Sequence, residues 1–214
     1  MVKKNLAHLR QEYAAATFDE SVALGHPFSQ FSQWFDQALE SGIPEPNAMT
    51  LATTDQEGKP RARVVLLKTL DETGFVFFTN YDSHKGNQLQ VNPYASLVFL
   101  WLELQRQVRV EGKVEMVTEE ESDTYFALRP RTSQIGAWAS PQSQEISGRH
   151  YLEKRYQAFE KKFENREVPR PTFWGGFRLI PEHIEFWQGR QNRLHDRLVY
   201  EMQDGQWTMK RLAP

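Results

Sequence analysis

The feature that most constrains this chain is a set of four apolar runs between residues 48 and 104, each too short for a buried helix. They are Ala48 to Thr53, Val64 to Leu67, Phe75 to Thr79 and Leu97 to Leu104. Asp55-Gln56-Glu57-Gly58 and Asp71-Glu72-Thr73-Gly74 part the first three, and each closes on a glycine that accepts positive φ in a hairpin. An antiparallel meander is expected. Val64-Val65-Leu66-Leu67 and Phe75-Val76-Phe77-Phe78 are nearly continuous in apolar residues, so both faces of these strands need cover, as in a small closed barrel or a sheet packed at a dimer interface. Val108 to Val117 alternates in part. It sets Gln107, Arg109 and Glu111 on one face and Val108 and Val110 on the other, so one side is expected to meet solvent or a ligand.

Helical spacing appears around this meander. Phe28, Phe31, Phe35 and Leu39 form an apolar stripe that Ser41-Gly42, Pro44 and Pro46 terminate. Ser83 caps a short helix closed by Asn92-Pro93, and Thr118 with Glu121 makes a capping box for a helix that ends at Arg129-Pro130. Leu152, Tyr156, Phe159 and Phe163 share one face of another helix. The tail returns to strands at Phe173 to Ile180, Ile184 to Gln188, Leu198 to Met202 and Trp207 to Leu212, the last two joined by Asp204-Gly205. Residues 1–27, with a short helical pattern around Leu6, Leu9 and Tyr13, are expected to form a mobile arm, and residues 28–214 a single domain. The fold class expected is α+β, mainly β, with peripheral helices.

Several chemistries are excluded at this level. The 214 residues contain no cysteine, which removes disulfides, thiolate metal sites and cysteine nucleophiles. Six histidines are scattered without ligand spacing, so no metal is expected. A net charge of −2 argues against a nucleic-acid binder. With no apolar run of about 18 residues and no signal-peptide core, neither a membrane span nor export is expected, and a cytoplasmic location follows. Dinucleotide, P-loop, nucleophile-elbow and zinc-protease signatures are missing.

What remains is a set of cationic clusters. At Ser83-His84-Lys85 a capping serine opens a helix whose free N–H groups and lysine suit a phosphate. At Arg129-Pro130-Arg131-Thr132-Ser133-Gln134 two guanidiniums and two hydroxyls precede another helix start, a second cradle for phosphate. Each is also open to the plainer reading of a solvated helix end. Two cradles suggest two phosphorylated ligands. In Trp187-Gln188-Gly189-Arg190-Gln191-Asn192-Arg193-Leu194-His195-Asp196-Arg197, the residues Arg193, His195 and Arg197 alternate, so that a strand would project all three from one face. Such groups repel unless something anionic or π-rich lies between them, the alternative being an edge strand salt-bridged through Asp196.

Arg63-Val64-Val65-Leu66-Leu67-Lys68, Phe78-Thr79-Asn80, Ser83-His84-Lys85, Arg106-Gln107-Val108, Arg129 through Trp138, Phe173-Trp174-Gly175-Gly176-Phe177 and Glu185-Phe186-Trp187 through Arg197 together resemble the motifs of the pyridoxine (pyridoxamine) 5'-phosphate oxidase family. The order and spacing match from about Ala7 to the Arg211-Leu212-Ala213-Pro214 terminus. The resemblance implies a homodimeric split β-barrel that binds FMN at the subunit interface. It further implies oxidation of pyridoxamine or pyridoxine 5'-phosphate to pyridoxal 5'-phosphate by O2, with H2O2 as the other product. Carried over by motif, Arg63, Lys85 and Thr79, with His84 beside them, hold the FMN phosphate, and the strand through Val64, Val65, Leu66 and Lys68 runs along the flavin. Phe78, Gln107, Gln142, Ser143, Trp187 and Arg197 complete the cofactor site. Lys68, Tyr125, Arg129 and Ser133 bind the substrate phosphate, and Arg193, Leu194 and His195 lie at the pyridine ring and its C4' carbon. Arg193, His195 and Arg197 are the implied catalytic set, and Arg10 and Tyr13 belong to a segment that closes over the substrate. Two positions depart from the family pattern: His84 stands where a second arginine is frequent, and Ala14 to Leu24 is poorer in basic residues.

Three other readings compete. A flavin oxidoreductase for a different substrate shares the fold and would lack the set Lys68, Tyr125, Arg129 and Ser133. A carrier of pyridoxal phosphate or FMN would bind without turnover. An RNA-binding barrel needs a basic face with exposed aromatics, which the net charge disfavours.

Overall fold

The computed structural model describes residue 6 and residues 12–214. In chain order the elements are α1 (Pro27–Glu40), β1 (Ala48–Thr54), β2 (Pro60–Leu66), β3 (Thr69–Asp71), β4 (Gly74–Asn80), α2 (His84–Val91), β5 (Tyr94–Trp101), β6 (Arg106–Met116), α3 (Glu119–Leu128), α4 (Arg131–Ala139), α5 (Arg149–Lys162), β7 (Trp174–Gln188), β8 (Asp196–Gln203) and β9 (Gln206–Arg211). Strands predominate and the helices are peripheral in sequence, as the α+β, mainly β expectation has it. The chain divides into two compact units: residues 1–47, 98–110 and 182–214 form the first, and residues 48–97 and 111–181 the second. No helix among the described residues is long and apolar enough to cross a membrane.

In the first unit, residues 12–26 form neither helix nor strand. Helix α1 buries Phe31, Trp34 and Ala38, while Leu39 is exposed. Of the expected stripe Phe28, Phe31, Phe35 and Leu39, Phe31 is the member that is buried, and the buried face is turned from that stripe toward Trp34 and Ala38. Trp34 explains this, since its ring packs edge-on to Phe186 at 5.3 Å and lies 4.8 Å from Phe18. The β7–β8 ladder runs from His183↔Glu201 to Gln188↔Asp196, and β9 adds on the other side of β8.

Along the nine-stranded sheet the hydrogen-bonded strand order is β2-β1-β5-β6-β7-β4-β3. Residues of β4 are buried on both faces apart from Phe78, as the continuous run requires. Strand β2 differs, because it ends the order and Val64 is 67% exposed. Val64 is thus not covered within this chain, while Val65 and Leu66 are half-buried. Strand β7 is continuous where two strands are expected, because Pro181 falls between the β4 ladder, which ends at Leu179, and the β8 ladder, which starts at His183. Its missing N–H is not asked to serve either ladder. Helices α3, α4 and α5 gather on Phe126, Ile135, Phe163, Val168 and Trp174. Thr118 and Glu121 make the expected capping box of α3.

Candidate active site

A cavity of about 690 Å³ opens in the second unit. Its first cationic position is Lys85, the second residue of α2. Ser83 caps this helix by accepting from the Gly86 N–H at 3.3 Å while donating to the Asn80 carbonyl at 2.7 Å. The turn is tight: a Cβ on Gly86 would sit 2.1 Å from the Tyr81 carbonyl oxygen, so only glycine fits. The ammonium donates to Thr79 Oγ1 (2.9 Å), Ser83 Oγ (3.1 Å) and Gln142 Oε1 (2.9 Å). Arg63 on β2 donates to Thr53 Oγ1 (2.6 Å), the Leu51 carbonyl (3.2 Å) and Gln88 Oε1 (3.4 Å). All these partners are neutral oxygens. Burial, reinforced by the Arg63 charge, pushes Lys85 down to about 8. Arg63 is lowered too, by burial and then by Arg61. Two mutually repelling cations held by neutral oxygens suit a phosphoester, whose charge would relieve both effects.

The second position is Arg129, which caps the C-terminus of α3. The rings of Phe78, Tyr125 and Trp174 stack here, with Phe78 4.0 Å from Tyr125 and 5.6 Å from Trp174. The Arg129 guanidinium lies over Trp174 at 4.6 Å. Burial lowers its pKa, and its Nη1 is buried without a hydrogen-bond partner. A charged donor left in that state is costly unless something anionic meets it. Lys68, Tyr125 and Ser133, the last in the first turn of α4, line the same cavity. Arg131 does not contribute as the second guanidinium of this cradle. It turns instead to the Phe163 and Arg166 carbonyls, capping the chain after α5.

Of the other expected cofactor residues in this unit, Val64, Val65, Leu66, Phe78, Thr79 and Gln142 line the cavity. Arg63, His84 and Ser143 do not. Arg63 shares Thr53 and Gln88 in a buried network, with Thr53 Oγ1 donating to Gln88 Oε1 at 2.7 Å. His84 is the exposed first residue of α2, and Ser143 is exposed at positive φ of 69°.

In the first unit, Arg193, His195 and Arg197 do not share a strand. Strand β8 begins only at Asp196, and Arg193 ends a short turn in which Asn192 and Arg193 both have positive φ, at 55° and 61°. Alternation is lost because two left-handed residues precede the strand. Arg193 and Leu194 are exposed. His195 packs its ring 4.5 Å from Trp187 and 6.0 Å from Tyr13, and Tyr13 meets Trp187 edge-on at 5.8 Å. Gly189 makes room for this, since a Cβ there would lie 2.8 Å from Tyr13 Cβ. Arg197 forms a two-bond pair with Glu185, at 2.8 and 3.0 Å, and Arg109 reaches the same carboxylate at 2.8 Å. Gln107 is half-buried on β6, and Arg10 lies outside the described residues.

Sequence reasoning missed Thr53, Gln88 and Glu185. Only the last carries a signal, as the lone acid in the apolar run Ile184-Glu185-Phe186-Trp187. An acid there must be paired when buried.

Comparison with known proteins adds three findings. A family model described as "Pyridoxamine 5'-phosphate oxidase" matches residues 35–163, and one described as "Pyridoxine 5'-phosphate oxidase C-terminal dimerisation region" matches residues 174–214. Proteins named pyridoxine/pyridoxamine 5'-phosphate oxidase from Synechocystis and Microcystis aeruginosa are 56% and 59% identical, each over 98% of this chain and 98% and 99% of their own. Among solved structures, PhzG from Burkholderia lata, in complex with tetrahydrophenazine-1-carboxylic acid, aligns with TM-score 0.88 and 30% identity over 93% of this chain and 98% of that one. A pyridoxamine 5'-phosphate oxidase-related, FMN binding protein from Nostoc punctiforme aligns with TM-score 0.70 at 17% identity, over 90% of this chain and 100% of that one, a likeness of fold. These neighbours bear out the split-barrel expectation.

Proposed function

The chain belongs to the pyridoxamine 5'-phosphate oxidase family of oxidoreductases, and from that premise we propose that it oxidises pyridoxamine or pyridoxine 5'-phosphate to pyridoxal 5'-phosphate with FMN as cofactor and O2 as acceptor. The observation that carries this reading is the single cavity lined by both Lys85 and Arg129, with Arg129 Nη1 buried and unpartnered. Lys85, Thr79 and Gln142, backed by Arg63 and flanked by His84, hold the cofactor phosphate in this reading. Val64, Val65, Leu66 and Phe78 take the apolar ring system. Gln107, Ser143, Trp187 and Arg197 complete the cofactor contacts. Lys68, Tyr125, Arg129 and Ser133 hold the substrate phosphate.

FMN, when bound, would supply a two-electron acceptor for the hydride from substrate C4' and a donor of that electron pair to O2, which leaves with two protons as H2O2, while the amine substrate takes up water and releases ammonia. The protein's share is position and charge. Gripping the phosphate through Arg129, remote from the carbon that reacts, turns binding energy into alignment of C4'. Arg193, Leu194 and His195, with Arg10 and Tyr13, hold the pyridine ring and keep water away. Arg197, fixed by Glu185, stabilises negative charge that develops beside it. The match of residues 174–214 to a dimerisation region supports a homodimer. Residues 28–214 then act as one FMN-binding domain and residues 1–27 as an arm.

The purified protein is expected to be yellow and to convert pyridoxamine 5'-phosphate aerobically to pyridoxal 5'-phosphate with H2O2. A protein that stays colourless after incubation with FMN overturns the reading. Colour without turnover makes it a carrier instead.

A further inference from the structure

The segment between β7 and β8 is pinned at both ends. At one end the Gly189 N–H donates to the Gln105 carbonyl at 2.8 Å, and Gln105 Oε1 accepts from the Ala14 and Ala15 N–H groups at 2.9 and 3.0 Å. At the other, the Asp196 carboxylate gathers three donors: the Phe18 N–H at 3.1 Å, Arg190 Nη1 at 2.7 Å and Arg211 Nη1 at 2.8 Å. Arg190 is thereby held by its side chain, and its backbone N–H donates to His195 Nδ1 at 3.1 Å. A ring nitrogen that accepts from an amide carries a lone pair and no proton. A neutral imidazole has one N–H, so the proton sits on Nε2.

We propose that Asp196 is a positioning residue: through Arg190 it fixes His195 as the neutral Nε2–H tautomer, so that the imidazole meets the substrate as a hydrogen-bond donor and not as a base. The role toward substrate rests on the proposed oxidase function, and the tautomer does not. Two facts beyond the bond itself support it. The pair Asn192 and Arg193 sits at positive φ, a conformation that non-glycine residues keep only where the surroundings over-determine it, and Asp196 and Gln105 supply those constraints. The groups that face His195 are the aromatic rings of Tyr13 and Trp187, the backbone N–H of Arg190, the cation of Arg193, and Asp196. Burial first, then Arg193, lower the His195 pKa from the ordinary 6.5, against the opposing pull of Asp196. The neutral ring therefore persists below the pH at which a free imidazole takes a proton. Acid eventually protonates Nδ1 and removes the acceptor on which the Arg190 N–H depends.

The test is nitrogen NMR of the full-length protein with isotope-labelled histidine rings, recorded above the ordinary imidazole pKa. His195 is assigned by the signal missing from His195→Gln. The expected result is a split pair for His195, with Nδ1 pyridine-type and Nε2 pyrrole-type. A proton on Nδ1, or an averaged pair, overturns the proposal. Asp196→Asn should collapse the split and lower kcat/KM roughly tenfold with flavin content unchanged, the scale on which orienting partners of a histidine act. Asp196→Glu should restore part of both. A split that survives Asp196→Asn refutes the positioning role, and if the variant fails to fold the wild-type spectrum still decides the tautomer. An Nε2–H spectrum in a protein that fails to oxidise pyridoxamine 5'-phosphate leaves the tautomer standing and sinks the oxidase reading.

Discussion

Lys85 and Arg129 carry the same formal charge but are poised for anions by different means. Lys85 has its hydrogen bonds satisfied by neutral oxygens and is poised electrostatically, its pKa pushed down to about 8 by burial and by Arg63. Its positive charge is present below that value and lost as pH rises through it. FMN affinity of the apoprotein should therefore weaken as pH rises through about 8, while riboflavin, which has no phosphate, should show no such loss. Equal pH dependence for the two flavins would remove Lys85 from the phosphate site. Arg129 is poised sterically, its plane set by Trp174 and its Nη1 left without a partner. Arg129→Ala should raise KM for pyridoxamine 5'-phosphate about 10- to 100-fold, the effect of losing roughly 1.5–3 kcal/mol of charged hydrogen bonding, with flavin still bound. Flavin release by this variant would mean that the two phosphate positions are exchanged.

Elements act by delivering these side chains from rigid ends. Helix α3 begins at the Thr118–Glu121 capping box, where Glu121 Oε2 accepts from the Thr118 N–H at 2.9 Å, and it ends at Arg129. Its length sets where Tyr125 and Arg129 stand, so the cap belongs to the site although it touches no ligand. Thr118→Ala should cost about 1 kcal/mol of stability, readable as a lower denaturant midpoint at unchanged slope. An unchanged midpoint would show that tertiary packing on Phe126 and Trp174 alone holds the helix. The β7–β8 connection follows the same logic by different means, with strain at Asn192 and Arg193 held in place by the carboxylate that starts β8.

At the scale of the molecule, β2 is the informative strand. It ends the hydrogen-bonded order, leaves Val64 exposed, and borders the cavity through Val64, Val65 and Leu66. A sheet-ending strand with an exposed valine beside a ligand cavity is what a second copy of the chain would cover. Light scattering should return about twice the 25.1 kDa chain mass. Adding FMN to about 100 times its dissociation constant should stabilise the fold by about 2.7 kcal/mol, and Tm should rise with protein concentration. A monomer with a concentration-independent Tm would refute the dimer.

The strand runs, the Ser83 and Thr118 caps and the Gly58 turn were legible from residues alone because period, capping and positive φ are local properties, whereas Gly74, expected at positive φ, does not adopt it and is required because a Cβ there would lie 2.2 Å from the Leu179 carbonyl oxygen. So was the presence of two cationic clusters, since helix starts and basic residues can be read in a few neighbouring positions. Which cations serve was not legible. Arg131 looks equivalent to Arg129 in sequence, yet the Phe163 and Arg166 carbonyls after α5 claim it, while Trp174, 45 residues further on than Arg129, lies against the other. The alternation of Arg193, His195 and Arg197 suggested one strand face, and two left-handed residues broke it. Tertiary structure alone paired Arg197 with Glu185 and tied His195 to Arg190 and Asp196. Such choices depend on which distant groups share a buried volume, and burial multiplies the worth of each charge by an amount that no local pattern encodes.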